Sequence, residues 1–146
     1  MDSNLSIELL FSIIKSSVEI IYSKYDFILV GSRPLINVVK KWGGGGQSRV
    51  LVHGIKLPAT SAAILNAYQI HCLEYDCVSE SAVLHPMATI IGAVLAEIDS
   101  GREISGKELI TAVAVGVDSS CVLGLSSKSA MKFFTAKNEN INTWCW

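Results

Sequence analysis

This chain has no basic leader, no C-x-x-C pair and no clean apolar run of membrane-spanning length. Each absence removes a class of protein. Asp2 and Glu8 near the N-terminus argue against a secretory signal. The four cysteines, Cys72, Cys77, Cys121 and Cys145, therefore read as reduced thiols in a cytoplasmic setting, not as a disulfide or zinc framework. Residues 82–98 are interrupted by His85, Pro86 and Glu97, and residues 109–125 contain Asp118 and several serines. Both fall short of the roughly 20 apolar residues a span needs, so they are predicted to be buried helices of a protein without a membrane partner. Charge is scarce as well. Ionisable residues make up 17% and the net charge is −1, with a pI near 6.3, which leaves no electrostatic footprint for nucleic acid. The glycines at 43–46 form a flexible loop and lack the Gly-Lys-Ser/Thr ending of a phosphate-binding loop.

What is present is apolar. Half of the 146 residues are hydrophobic and the mean hydropathy is +0.42. A chain of this length fits one domain, which buries roughly 70% of its unfolded surface. With so few polar residues, helices are buried on several sides, or they leave an apolar surface for a partner or a further segment to cover.

Along the chain the periodicity is helical. Residues 5–25 form an amphipathic pattern that Gly31 ends, and Pro34 is placed to start a short second helix towards Trp42. Residues 49–53 alternate and suggest a short strand or extended arm. Pro58 opens a helix predicted to reach about Tyr75. His85 and Pro86 mark the next start, because proline suits a first turn and disfavours helix in the residue before it. The helix that follows, to about Asp99, is apolar on nearly every side and is expected to be central. Ser105 and Glu108 form a capping box that opens a buried helix to about Leu125, beyond which the pattern degrades. These features predict an all-α domain with at least four helices and no sheet beyond a short extended pair.

Candidate chemistry concentrates in residues 66–86. His71 and His85 bracket three acids, Glu74, Asp76 and Glu80, in otherwise apolar surroundings, and charged groups are costly to bury unpaired. In a helix reaching Tyr75, His71 and Glu74 share a face. Asp76 then lies just past the helix end, and His85 lies at the next helix start, where unpaired N–H groups and the dipole favour an anion. A base, an acid and a place for negative charge are the needs of proton abstraction beside a carboxylated carbon. Structural readings stand beside this one. His71 is also placed to be a hydrogen-bonded core residue, His53 a structural or surface residue, and Glu80 a solvated loop acid, while Asp118 in an apolar helix calls for a hydrogen-bond partner. The spacing of His71, Glu74 and His85 fits no familiar metal motif, so no metal is expected.

The order Asn66, His71, Leu73-Glu74-Tyr75-Asp76-Cys77 and His85-Pro86 resembles a signature of the MmgE/PrpD proteins, Asn-Gly-x-x-x-His-x-Leu-Asp-Tyr-Asp-Asp followed by His-Pro. That family includes 2-methylcitrate dehydratase and cis-aconitate decarboxylase. Trp42-Gly43-Gly44, His53-Gly54, Leu57-Pro58-Ala59, Gly101-Arg102 and Ser105-Gly106 extend the likeness from about Lys24 to about Lys137. The resemblance implies a lyase for small di- or tricarboxylates that works as a homodimer by acid/base catalysis, with no cofactor and no metal. It assigns catalytic roles to His85, Glu74 and Asp76, and substrate binding to Asn66 and His71. It also implies that residues 1–137 are an incomplete helical domain, truncated before a smaller α/β lid domain, and that residues 138–146 are a divergent tail. This chain departs from the signature where Glu74 lengthens an aspartate and Cys77 replaces another. The alternative is a catalytically inactive homologue that serves as a dimerisation or interaction module.

Overall fold

The computed structural model describes residues 25–135 together with Ser12 and Lys15. The predicted helix over residues 5–25 and the tail at 138–146 lie outside the described residues. The elements are α1 (Tyr25–Val39), β1 (Ser48–Arg49), β2 (Lys56–Leu57), α2 (Ala59–His71), α3 (Pro86–Asp99) and α4 (Gly106–Thr135). The fold is mostly helical, as predicted.

Gly31 and Pro34, expected to separate two helices, lie inside the single helix α1. Pro34 removes one helical hydrogen bond and crowds the Val30 carbonyl, at a cost of about 3 kcal/mol. Val30 and Pro34 are exposed, so water can take the orphaned carbonyl. On the opposite side Ile28, Ser32, Ile36 and Val39 form one buried stripe at helical spacing. Burying three aliphatic side chains at about 1.5–3 kcal/mol each outweighs the proline.

The sheet is a small antiparallel hairpin in which Ser48 pairs with Leu57 and Arg49 with Lys56. Residues 51–53, predicted as part of an extended arm, are its turn, closed by Val50 N–H donating to the Ile55 carbonyl at 2.8 Å. Val50 and Val52 are buried, and the backbone around them is tied to helix side chains. Leu51 N–H donates to Asn66 Oδ1 and Asn66 Nδ2 donates to the Arg49 carbonyl, each at 3.0 Å. Ser48 Oγ donates to the Ala96 carbonyl, and Arg49 N–H to Asp99 Oδ2 at 2.8 Å.

Helix α3 is central, packed on α2 along one side and on α4 along another. A side chain at Gly92 would place its Cβ 2.7 Å from Ala67 N and 2.8 Å from the Ala63 carbonyl oxygen. Only glycine lets the α2 and α3 backbones meet this closely. The core has two parts, one around Ile28, Ile70, Met87, Ile91 and Val113, the other around Ile36, Val39, Val50, Leu57 and Leu65.

Helix α4 begins at the predicted capping box. Ser105 N–H donates to Glu108 Oε2 at 2.7 Å, and Glu108 N–H returns to Ser105 Oγ at 3.2 Å. These bonds hold the Glu108 carboxyl below its usual range, the backbone N–H contributing most. Two expectations for this helix are corrected. It continues to Thr135, and it is largely exposed, with Val115 at 59% and Leu123 at 70%. Asp118 is also exposed, so water can hydrate it and no buried partner is required. Residues 106–127 are long and apolar enough to cross a membrane by length and composition alone.

Candidate functional site

Helix α2 stops at His71, four residues short of the predicted end. Cys72 caps it, its N–H donating to the Tyr68 carbonyl at 2.8 Å. Glu74 N–H then donates to the His71 carbonyl at 2.7 Å, and Glu74 takes a left-handed φ of 55°. The expected shared helix face of His71 and Glu74 is therefore absent, and Glu74 is exposed.

The loop that follows folds back on itself. Ser79 N–H donates to the Leu84 carbonyl at 2.8 Å and Val83 N–H to the Ser79 carbonyl at 2.7 Å. Val83 also sits at φ 55°, an outlier for a β-branched residue. The loop seats against α4 at Gly124, where a Cβ would lie 2.6 Å from the Ala82 carbonyl oxygen. Strained backbone of this kind persists only where its surroundings fix it, and it clusters at functional sites.

The consequence is that Asp76 turns inwards between two imidazoles. His71 Nδ1 lies 3.0 Å from Asp76 Oδ1 and 3.2 Å from Oδ2. His85 Nδ1 lies 3.4 Å from Asp76 Oδ2, and the two rings stand 4.5 Å apart, tilted by 56°. The Asp76 side chain has no exposed surface, whereas His71 and His85 keep 16% and 24% of theirs. His85 is the N-cap of α3, immediately before Pro86, and makes no side-chain capping bond.

A model of the MmgE/PrpD N-terminal domain matches residues 31–136. The chain belongs to the MmgE/PrpD family. The matched region contains α2, α3 and the whole histidine–aspartate cluster. No curated protein matches the chain and no solved structure does.

Within this MmgE/PrpD domain the candidate residues divide. His71, Asp76 and His85 are brought together, and Glu74 is not among them. Asn66, assigned to substrate binding by resemblance, is fully buried, and its amide is spent on the Arg49 and Leu51 backbone. It is a structural residue that pins the hairpin. Nothing in local spacing distinguishes Glu74 from Asp76. The point at which α2 ends decides which carboxylate meets the histidines.

Cys77 lies in the loop between α2 and α3, in place of the aspartate of the MmgE/PrpD signature. Although part of the residue reaches solvent, desolvation of the thiol is the largest effect on it and pushes its pKa up. The Met87 N–H that bonds the sulfur opposes the rise, and the Asp76 charge adds to it. His53 belongs to a separate pair. Its Nε2 lies 2.6 Å from Ser32 Oγ, and since that hydroxyl donates to the Ile28 carbonyl, the His53 N–H is the donor. Burial, then Arg33 and Lys40, lower the His53 pKa, so His53 has the structural role expected of it, fastening the hairpin turn to α1.

Proposed function

We propose that this chain is the N-terminal part of a lyase that dehydrates 2-methylcitrate-like acids or decarboxylates cis-aconitate, by acid/base catalysis without a cofactor. The observation that carries the reading is the convergence of His71 and His85 on one buried carboxylate at the start of α3. A carboxylate that orients an imidazole is the usual way to aim a general acid or base, worth about 10²–10⁴-fold. His85 is the acid/base with the Asp76 carboxylate 3.4 Å from its Nδ1, and His71, hydrogen-bonded to Asp76, completes the clamp. In dehydration, a base removes the proton beside a carboxylate and an acid protonates the departing hydroxyl, which leaves as water. In decarboxylation, carbon dioxide departs and the electrons left on carbon are quenched by a proton. Glu74, solvent-exposed, has no part in this scheme.

A second reading is favoured by the exposed apolar side chains of α4, Val115, Val122, Leu123 and Leu125. In it the domain is catalytically inactive and serves as a dimerisation or interaction module. The test is an assay with 2-methylcitrate and cis-aconitate, using the chain alone and fused to the C-terminal portion of another family member. Turnover is expected to be undetectable in the chain alone, present in the fusion and lost in the fusion carrying His85→Ala. A fusion that is active but indifferent to His85→Ala rejects the site assignment, and a folded, inactive fusion favours the interaction module.

A further inference from the structure

A carboxylate with no exposed surface needs compensation for its lost hydration. At Asp76 that compensation is incomplete. His71 Nδ1 hydrogen-bonds it, but His85 Nδ1, itself buried, stands 3.4 Å away and has no hydrogen-bond partner among the described residues. One donor atom from each of His71, Asp76 and His85 lies within 4.8 Å of the others. Zinc bonds of about 2.0–2.2 Å in a tetrahedral set place neighbouring donors roughly 3.4 Å apart. To the single oxygen Asp76 Oδ2, His71 Nδ1 and His85 Nδ1 lie at 3.2 and 3.4 Å, already close to that value. The widest donor pair has to close by roughly 1.4 Å at most.

We propose that His71, Asp76 and His85 bind a divalent transition metal ion of the zinc class, with its fourth position open to water. Two imidazole nitrogens and one carboxylate oxygen are a borderline donor set. It favours Zn²⁺ or Co²⁺ over Mg²⁺ and Ca²⁺, which prefer oxygen alone. The buried Asp76 is the floor of the site, and the partly exposed imidazole edges give the ion a way in from solvent. This inference does not rest on the lyase reading and constrains it. An ion on these lone pairs withdraws them from proton transfer, so zinc inhibits any turnover that uses His85.

The experiment is titration of the full, chelator-treated chain with Co²⁺, followed by visible absorption. One equivalent is expected to bind, with the d–d bands of a low-coordinate site and no thiolate charge-transfer band, and Zn²⁺ is expected to displace it. His85→Gln and Asp76→Asn should each weaken uptake by at least about 100-fold, since each removes a direct ligand. His53→Gln, which changes the third of the three histidines, should leave uptake unchanged. If a ligand variant fails to fold, ¹⁵N spectra of histidine-labelled wild-type chain provide the answer. Zn²⁺ should move the ring signals of His71 and His85 and leave those of His53 in place. Absence of uptake at micromolar Co²⁺, uptake indifferent to both ligand variants, a thiolate band or unmoved His71 and His85 signals would each overturn the proposal. An inactive fusion that still binds Co²⁺ counts against the reaction alone, and an active fusion that binds no Co²⁺ counts against the metal site alone.

Discussion

Helices α3 and α4 are both rich in apolar residues, yet they have opposite fates. In α3, Met87, Ala88, Ile91 and Ala96 are buried between neighbours, and Gly92 brings its backbone against α2. In α4, Val113 is buried while Val115, Val122, Leu123 and Leu125 face outwards. What separates them is the number of sides on which the described residues supply a neighbour. An exposed apolar stripe of this kind marks a surface that something else covers.

The sharpest way to break the contrast is Gly92→Val. Its side chain meets the Ala63 and Ala67 backbone, which cannot move aside as a flexible side chain would. A loss of about 3 kcal/mol is expected in urea unfolding, and a loss below about 1 kcal/mol would mean that α2 and α3 are less tightly joined than described.

Glu74→Gly should act in the opposite direction. Glycine occupies a φ of 55° without the cost that an L side chain carries there, so a gain of about 1 kcal/mol is expected. In an active fusion this variant should retain turnover. Loss of turnover without loss of fold would return Glu74 to the catalytic set.

A pH effect should follow from His53. Folding lowers its pKa, so between its ordinary value near 6.5 and its folded value the unfolded chain binds the extra proton. Stability should therefore fall as pH drops below about 6.5 and level off once the folded state is protonated too. His53→Gln should remove this contribution, and an unchanged pH profile would show that the burial of His53 beside Arg33 and Lys40 does not control it.

The smallest expected effect is on α4. Val115→Ser with Leu123→Ser should change the stability of the monomer by no more than about 0.5 kcal/mol. The same pair should reduce self-association of the wild-type chain at tens of micromolar, read by light scattering. A larger destabilisation would show that this chain covers the stripe itself, erasing the difference between α3 and α4.

Much of the fold was legible because its signals are local. Pro86 starts α3, Ser105 and Glu108 cap α4, and apolar spacing marks the helices. The misreadings share a cause. The continuous α1 depends on burial of Ile28, Ser32, Ile36 and Val39 against distant residues, and that tertiary gain overrides the local signals of Gly31 and Pro34. The outward face of α4 has the composition of a core, and periodicity cannot say who covers a face. At the site, the family likeness and the two histidines were readable. That Asp76 and not Glu74 would meet the histidines was not, because it turns on α2 ending at His71 and on a loop held by contacts far along the chain.

The hairpin also carries information about time. Its backbone is tied to side chains of α2 and α3, through Asn66, the Ala96 carbonyl and Asp99, and its strands pair over only two residues each. So short a ribbon has little stability alone, and its anchors exist only once α2 and α3 are formed and side by side. An order of assembly is therefore expected. Residues later in the sequence should fold first and provide the mould for those before them, so in pulse-labelling hydrogen exchange the Leu51 amide should gain protection after the amides of α2.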